Sequence, residues 1–238
     1  MRIRSVLVPF ALLATALPAY AGTIAIDGRG EVRAAPDMAT VMSGVTTQGA
    51  TAREALDANT AAMADLIAAL KEAGIEARDI QTSGFSVNPN YVYSDARDDL
   101  GYTLPPKING YQVANSVTVV VRDLEDLGSI LDKSVTVGAN TVNGVSFSVS
   151  DPSELLNEAR KAAFADARAK AELYAGVAGA ELGDLDSIRE TQDFGSPQPY
   201  AMYARAELQS GADVPVEAGE LTFAVTVNVQ WELGNTDK

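Results

Sequence analysis

The chain contains no cysteine and no histidine, and that double absence excludes more chemistry than any motif in it supplies. Without a thiol there is no disulfide staple and no thiolate nucleophile. Without an imidazole there is no Ser–His–Asp relay and no histidine metal site. A serine–lysine pair would remain, yet no Ser-x-x-Lys stands at a predicted helix start. Basic charge is scarce as well: 18 Lys and Arg face 32 Asp and Glu, for a formal net charge of −14. Such a surface repels a phosphate backbone and acidic lipid headgroups alike, which argues against nucleic-acid binding and membrane-surface binding. Beyond the first two dozen residues no segment approaches the roughly 20 apolar residues of a membrane-spanning helix.

What is present is an ordinary globular composition, 238 residues of which 47% are hydrophobic and 21% charged. That is enough for one sizeable domain with its own core. The first residues read as a cleavable export signal. Arg2 and Arg4 give the positive start, residues 6–17 the apolar run, and Ala19-Tyr20-Ala21 the small-x-small cleavage site. A retained membrane anchor is the alternative, but the run is short for a bilayer and polar strand sequence follows at once. The chain thus divides into a signal peptide over residues 1–21 and a folded domain over 22–238, exported to the periplasm and held by packing alone.

The clearest organisation lies between Gly110 and Ala178. Val117, Val119 and Val121 alternate with Ser116, Thr118 and Val120, the period of a strand with one buried face. Asp123 offers a helix cap; Leu124, Leu127, Ile130 and Leu131 follow at helical spacing, and Gly138 offers a stop. Val145, Phe147 and Val149 mark another strand. Asp151-Pro152-Ser153-Glu154 opens a long alanine-rich helix reaching about Ala178, with Leu156, Ala159, Ala163, Ala167, Ala171, Tyr174 and Ala178 on one stripe.

Upstream, Ile24 and Ile26 begin a short strand that ends in a turn at Gly28-Arg29-Gly30. Residues 39–47 alternate as a strand, and Thr51-Ala52-Arg53-Glu54 is a capping box for a helix with Leu56, Asn59, Met63, Leu66, Ile67 and Leu70 on one face. Residues 80–87 make a third strand that runs out at Asn88-Pro89-Asn90. Strand, helix, strand, strand, helix, strand predicts an α+β fold: a split βαβ, ferredoxin-like antiparallel sheet with helices on one face, then a long C-terminal helix and a final strand. That last strand, residues 222–233, alternates most strictly of all and is read as central either to the sheet or to an assembly contact.

Two long loops, 88–109 and 193–219, read as insertions, and loops of that length in a compact domain carry function or mobility. The first holds Tyr91, Tyr93, Tyr102 and Tyr111 among prolines, the second Tyr200, Met202 and Tyr203. Tyrosine buries area at low side-chain entropy cost, so these residues, with Trp231, are the candidate contact surface. Packing against the protein's own sheet edge is the plainer alternative. Asp95, Asp98 and Asp99 have the hard oxygens that calcium prefers but not the spacing of an EF-hand, which leaves a solvated loop as the simpler reading. Glu31 and Asp37 make a conceivable acid–base pair, although Pro36-Asp37 is ordinary turn chemistry. Gly28-Arg29-Gly30 lacks the third glycine of a dinucleotide loop. No catalytic, metal or cofactor set emerges.

The blocks GYQVANSVTVVVRDLEDLGSILD, GANTVNGVSFSVSD and EARKAAFADARAKAELYA resemble those of the SIMPL-domain family, the YggE-like periplasmic proteins. The likeness extends through GRGEVRAAPDMATV, DIQTSGFSVNPNY and PVEAGE to the final strand. It implies a periplasmic α/β protein linked to envelope and oxidative stress responses, one that assembles into closed homo-oligomeric rings and has no assigned catalytic residues. The expectation is a non-enzymatic, self-assembling protein. The alternatives are a monomeric or dimeric module gripping a peptide or small ligand with loop 88–109, and a hydrolase working through carboxylates alone.

Overall fold

A computed structural model of the chain describes residues 22–191, 198–199 and 214–235. Two compact units emerge. Among the described residues one comprises 22–30, 160–191 and 225–235, and the other 31–159, 198–199 and 214–224. The α+β class holds. The arrangement, however, is two sheets and three helices rather than one sheet with an appended helix and strand. The long helix is internal to the sequence, and the described chain ends in a strand.

The larger unit contains the sheet β3-β4-β2-β5, with every neighbour antiparallel. Its strands are β2 (Met38–Gly49), β3 (Ile80–Val92), β4 (Lys107–Val121) and β5 (Thr141–Ser148). Helices α1 (Ala52–Glu72) and α2 (Leu127–Thr136) cover one face. The start of α1 is set by the capping box: the Glu54 amide donates to Thr51 Oγ1 and the Thr51 amide to the Glu54 carboxylate, each at 3.2 Å. Below it, Met63, Leu66 and Leu70 meet Val41, Val45, Val117, Val119 and Val121, and α2 adds Leu127, Ile130 and Leu131. Each such side chain contributes about 1.5–3 kcal/mol when fully buried, so the register of these strands is strongly specified. Asn59 is the polar exception in this core; its amide donates to the Val45 carbonyl at 2.8 Å and ties the helix to β2.

A bidentate ion pair fastens the ends of β3 and β4. Arg122 Nε donates to Asp79 Oδ2 at 3.0 Å and Nη2 to Oδ1 at 2.8 Å, with Asp79 itself buried. The Arg122 hydrogen bonds hold the Asp79 carboxyl below the ordinary aspartate range.

In the smaller unit the sheet order is β1-β8-β6, from β1 (Gly22–Ala34), β6 (Ala180–Thr191) and β8 (Leu221–Asn235); a two-residue strand, β7 (Gln198–Pro199), pairs with the start of β8. The strand read as central is central: β8 lies between β1 and β6, with Val225, Val227, Val229 and Trp231 buried. Helix α3 (Ser153–Ala178) presents Ala163, Ala167, Ala171 and Ala175 inward at a constant step of four. Ala175, not the expected Tyr174, continues the stripe, and Tyr174 is exposed.

The expected turn at Gly28-Arg29-Gly30 is instead continuous strand inside β1. Gly28 is required by proximity, not by a bend. A Cβ there would overlap the Ala163 carbonyl oxygen and stand 2.5 Å from the Ala167 amide nitrogen. Backbone therefore lies directly on backbone, which alanines on one side and glycine on the other permit.

Two outcomes follow from these contacts. Gly28→Val should lower the urea unfolding free energy by about 1–3 kcal/mol or more, as overpacking does, whereas Gly176→Ala, at a helical glycine with open space around it, should raise it by roughly 0.5–1 kcal/mol. Because the folded-state pKa of Asp79 is depressed, its contribution is complete above the unfolded value near 4 and is lost as pH falls through the folded value. The stability gap between wild type and Asp79→Asn should accordingly be wide at neutral pH and narrow on acidification; a gap independent of pH would remove the ion pair from this role.

Candidate interaction surface

The hairpin of β3 and β4 outruns the helix that covers it. At 21 residues α1 is about 31 Å long, while β4 at 15 residues extends about 50 Å. The inward-facing alternation therefore continues past the end of the helical cover. Phe85 and Val87 pair with Asn115 and Val113 and share their face of the sheet, yet stand 58% and 39% exposed. Farther out Tyr91 pairs with Ile108, and both are half exposed. Among the described residues β3 has no neighbour on its outer side, so its backbone edge is open.

Loop 88–109 is thus largely strand. Pairing runs on through Pro89↔Tyr111 to Val92↔Lys107, and proline is accommodated because β3 is an edge strand that need not donate outward. Gly110, at φ +122°, takes up the accompanying irregularity in β4. The tip is a defined turn: Asp98 Oδ1 accepts from the Leu100 amide at 3.0 Å and the Tyr102 amide at 2.9 Å, and Arg97 donates to the Gly101 carbonyl at 2.7 Å. Asp98 is spent on that turn, and no group of three acids among the described residues gathers closely enough to hold a cation. Tyr93, Leu100 and Tyr102 project from the tip, 79%, 83% and 70% exposed.

Of the sequence-derived candidates, Tyr91, Tyr93 and Tyr102 come together on this arm, and Tyr111 is half-buried at its base. Trp231 is buried against Phe164, ring centres 6.1 Å apart. Tyr200, Met202 and Tyr203 lie outside the described residues. Phe85, Val87 and Ile108 were not picked out by sequence reasoning, because alternation shows that a face is apolar and not how far a helix reaches along it.

A second exposed apolar surface lies in the smaller unit. There α3 sits close over β1, and β6 receives less cover: Leu185 and Ile188 are about half exposed. Between α3 and β6 are two adjoining hollows, one of about 460 Å³ floored by Phe164, Ile188 and Val227, the other of about 260 Å³ against Phe164, Leu182 and Trp231. Arg160 bridges the larger one to Glu190 at 2.9 Å, which holds the Glu190 carboxyl below its ordinary range.

The carboxylates considered for acid–base work are occupied structurally. Asp37 accepts from the Ser150 amide at 2.7 Å and the Ser150 hydroxyl at 2.6 Å, tying the chain after β5 to the start of β2. Asp166 accepts from Lys170 at 2.6 Å and from the Arg29 amide at 2.9 Å, which together depress its pKa. The cavity beside Asp79 and Arg122, about 180 Å³, is bordered by two groups already engaged with each other.

Comparison with known proteins places this architecture. The chain is 42% identical over 232 residues to the 26 kDa periplasmic immunogenic protein of Brucella melitensis biotype 1, covering 92% of each chain. It is 30% identical to the Uncharacterized protein YggE of Edwardsiella ictaluri, over 88% of this chain and 86% of that one. With the protein of the same name from Escherichia coli K12 it shares 28% identity over 90% of this chain and 85% of the other. The model of the SIMPL family, described as a protein of unknown function (DUF541), matches residues 24–231. The chain therefore belongs to the SIMPL family.

Proposed function

We propose that this is an exported periplasmic protein that acts by self-association rather than by turnover, with the β3–β4 arm as its contact surface. The observation that carries the reading is an open strand edge flanked by exposed Phe85, Tyr91, Tyr93 and Tyr102. At about 200 Å² per aromatic side chain, these four leave on the order of 500 Å² in view, before the neighbouring Val87, Leu100 and Ile108 are added. A standard interface takes about 800 Å² from each partner, so the arm supplies most of one side. Association would also cover an edge that invites uncontrolled pairing. Export is supported by the signal-like residues 1–21 and by the periplasmic designation of the Brucella relative. A part in envelope and oxidative stress defence follows from the family resemblance and is read as structural rather than catalytic.

One observation favours a second reading. An open edge beside apolar side chains also suits addition of an extended peptide as a further strand, which would make the protein a monomeric or dimeric capture module.

Light scattering on the processed protein separates the two. Self-association gives a particle several times the monomer mass, and Phe85→Ser with Tyr93→Ser should raise its dissociation constant about tenfold or more, the cost of truncating buried aromatic anchors. A monomer at all accessible concentrations would end the assembly reading. N-terminal sequencing of protein recovered from the periplasm should begin at Gly22; an intact Met1 in a membrane fraction would contradict export as a cleaved chain.

A further inference from the structure

The arm and the α3–β6 groove have opposite local charge in a chain that is strongly negative throughout. The arm tip, residues 93–104, carries Asp95, Asp98 and Asp99 against Arg97, three acids to one base. Asp98 and Arg97 are turned into the tip's own hydrogen bonds, which leaves Asp95 and Asp99 as its outward charge. The rim of the larger hollow carries Arg160 and Lys161 against Glu190, two bases to one acid. Its floor of Phe164, Ile188 and Val227 is apolar, and its volume of about 460 Å³ lies in the range of sites that enclose aromatic groups.

Building on the self-association reading above, we propose that the contact is head-to-tail: the arm tip of one copy seats Tyr93 and Tyr102 in the α3–β6 groove of a second copy, with Asp95 and Asp99 against Arg160 and Lys161. The same charges disfavour the symmetric alternatives. Tip against tip brings four outward carboxylates together, and groove against groove brings two Arg160–Lys161 pairs together. Like charges facing each other across an interface cost several kcal/mol, so each surface rejects itself and accepts the other. A contact of this heterologous kind leaves a vacant groove at one end of every pair and an unused arm at the other, so the order propagates until it closes.

The test uses two full-length processed variants, each with one surface intact. Tyr93→Ser with Tyr102→Ser removes the anchors from the arm and leaves the groove. Lys161→Glu with Ile188→Ser spoils the groove and leaves the arm. All four positions are at least half exposed or at the surface. Each variant alone should have the monomer mass. Mixed in equal amounts they should give a heterodimer of twice that mass and nothing larger, because one good arm and one good groove remain. Trp231, the sole tryptophan, lines the adjoining hollow, so its emission reports whether the groove variant has kept its fold. Lys161→Glu alone, at an exposed helix position, supplies a variant that does not endanger the fold; it should weaken assembly about tenfold, and Asp99→Lys in the partner should restore it. Wild type that assembles while Lys161→Glu assembles equally well, or a mixture that stays monomeric, would overturn the head-to-tail contact and leave self-association standing. Wild type that is monomeric would overturn both.

Discussion

A residue in a strand advances more than twice as far as a residue in a helix, and much of what this protein exposes follows from that mismatch. In the larger unit α1 covers the inner halves of β3 and β4 and then ends, while the strands and their apolar alternation continue. Nothing in the pairing changes at that point: Val87 faces the same way as Val113, one half in solvent and the other completely buried. The smaller unit reaches a similar result by another route. Gly28 lets α3 settle onto β1, and a helix held there cannot also roof β6. Each unit therefore closes a core and leaves one edge strand with an apolar inner face incompletely covered.

The polar groups of this chain mark where it is fastened rather than where it reacts. Asp79 joins the base of the hairpin to Arg122, Asp37 joins the ends of β2 and β5 through Ser150, and Asp166 holds β1 to α3 through Lys170 and Arg29. A carboxylate engaged by a guanidinium or ammonium is held in its ionised form, whereas a general acid needs a pKa near the working pH. In a chain with neither thiol nor imidazole, that leaves packing, charge and shape as the means by which the sequence expresses function. The same inventory explains how the fold manages without disulfides: the long-range ties that a staple would make are made by ion pairs and amide contacts across 43, 113 and 137 residues of sequence.

Much of the architecture was legible where a local rule and the tertiary outcome agree. The Thr51–Glu54 capping box is present with both of its hydrogen bonds, and the strict alternation of β8 marked the strand flanked on both sides. Legibility failed where a residue's reason lies far away in sequence. Gly28 resembled a turn because glycine is a local signal for one, whereas its cause is Ala163 and Ala167 on a helix some 135 residues later. Asn88-Pro89-Asn90 looked like a strand end, but an edge strand tolerates proline and the pairing simply continues. Trp231 looked like a contact anchor as an isolated large aromatic; its place on the inner face of β8, beside Phe164, could not be read without knowing which helix lies above it. For the candidate surface, Tyr91, Tyr93 and Tyr102 were visible as a cluster, while Phe85, Leu185 and Ile188 were hidden by reading every alternating strand as covered.

Net charge sharpens what such uncovered faces can do. Molecules that each carry −14 repel one another at a distance, and that repulsion discourages indiscriminate sticking by apolar patches. Short-range apolar burial overcomes it only where the local charges do not add to it. An open edge with the same sign as the rest of the surface would be protected against every copy of itself. An edge that meets an oppositely charged groove is protected against all contacts but one. Overall acidity and a small basic rim around Arg160 and Lys161 thus act together, the first suppressing wrong encounters and the second selecting the register in which two copies can approach.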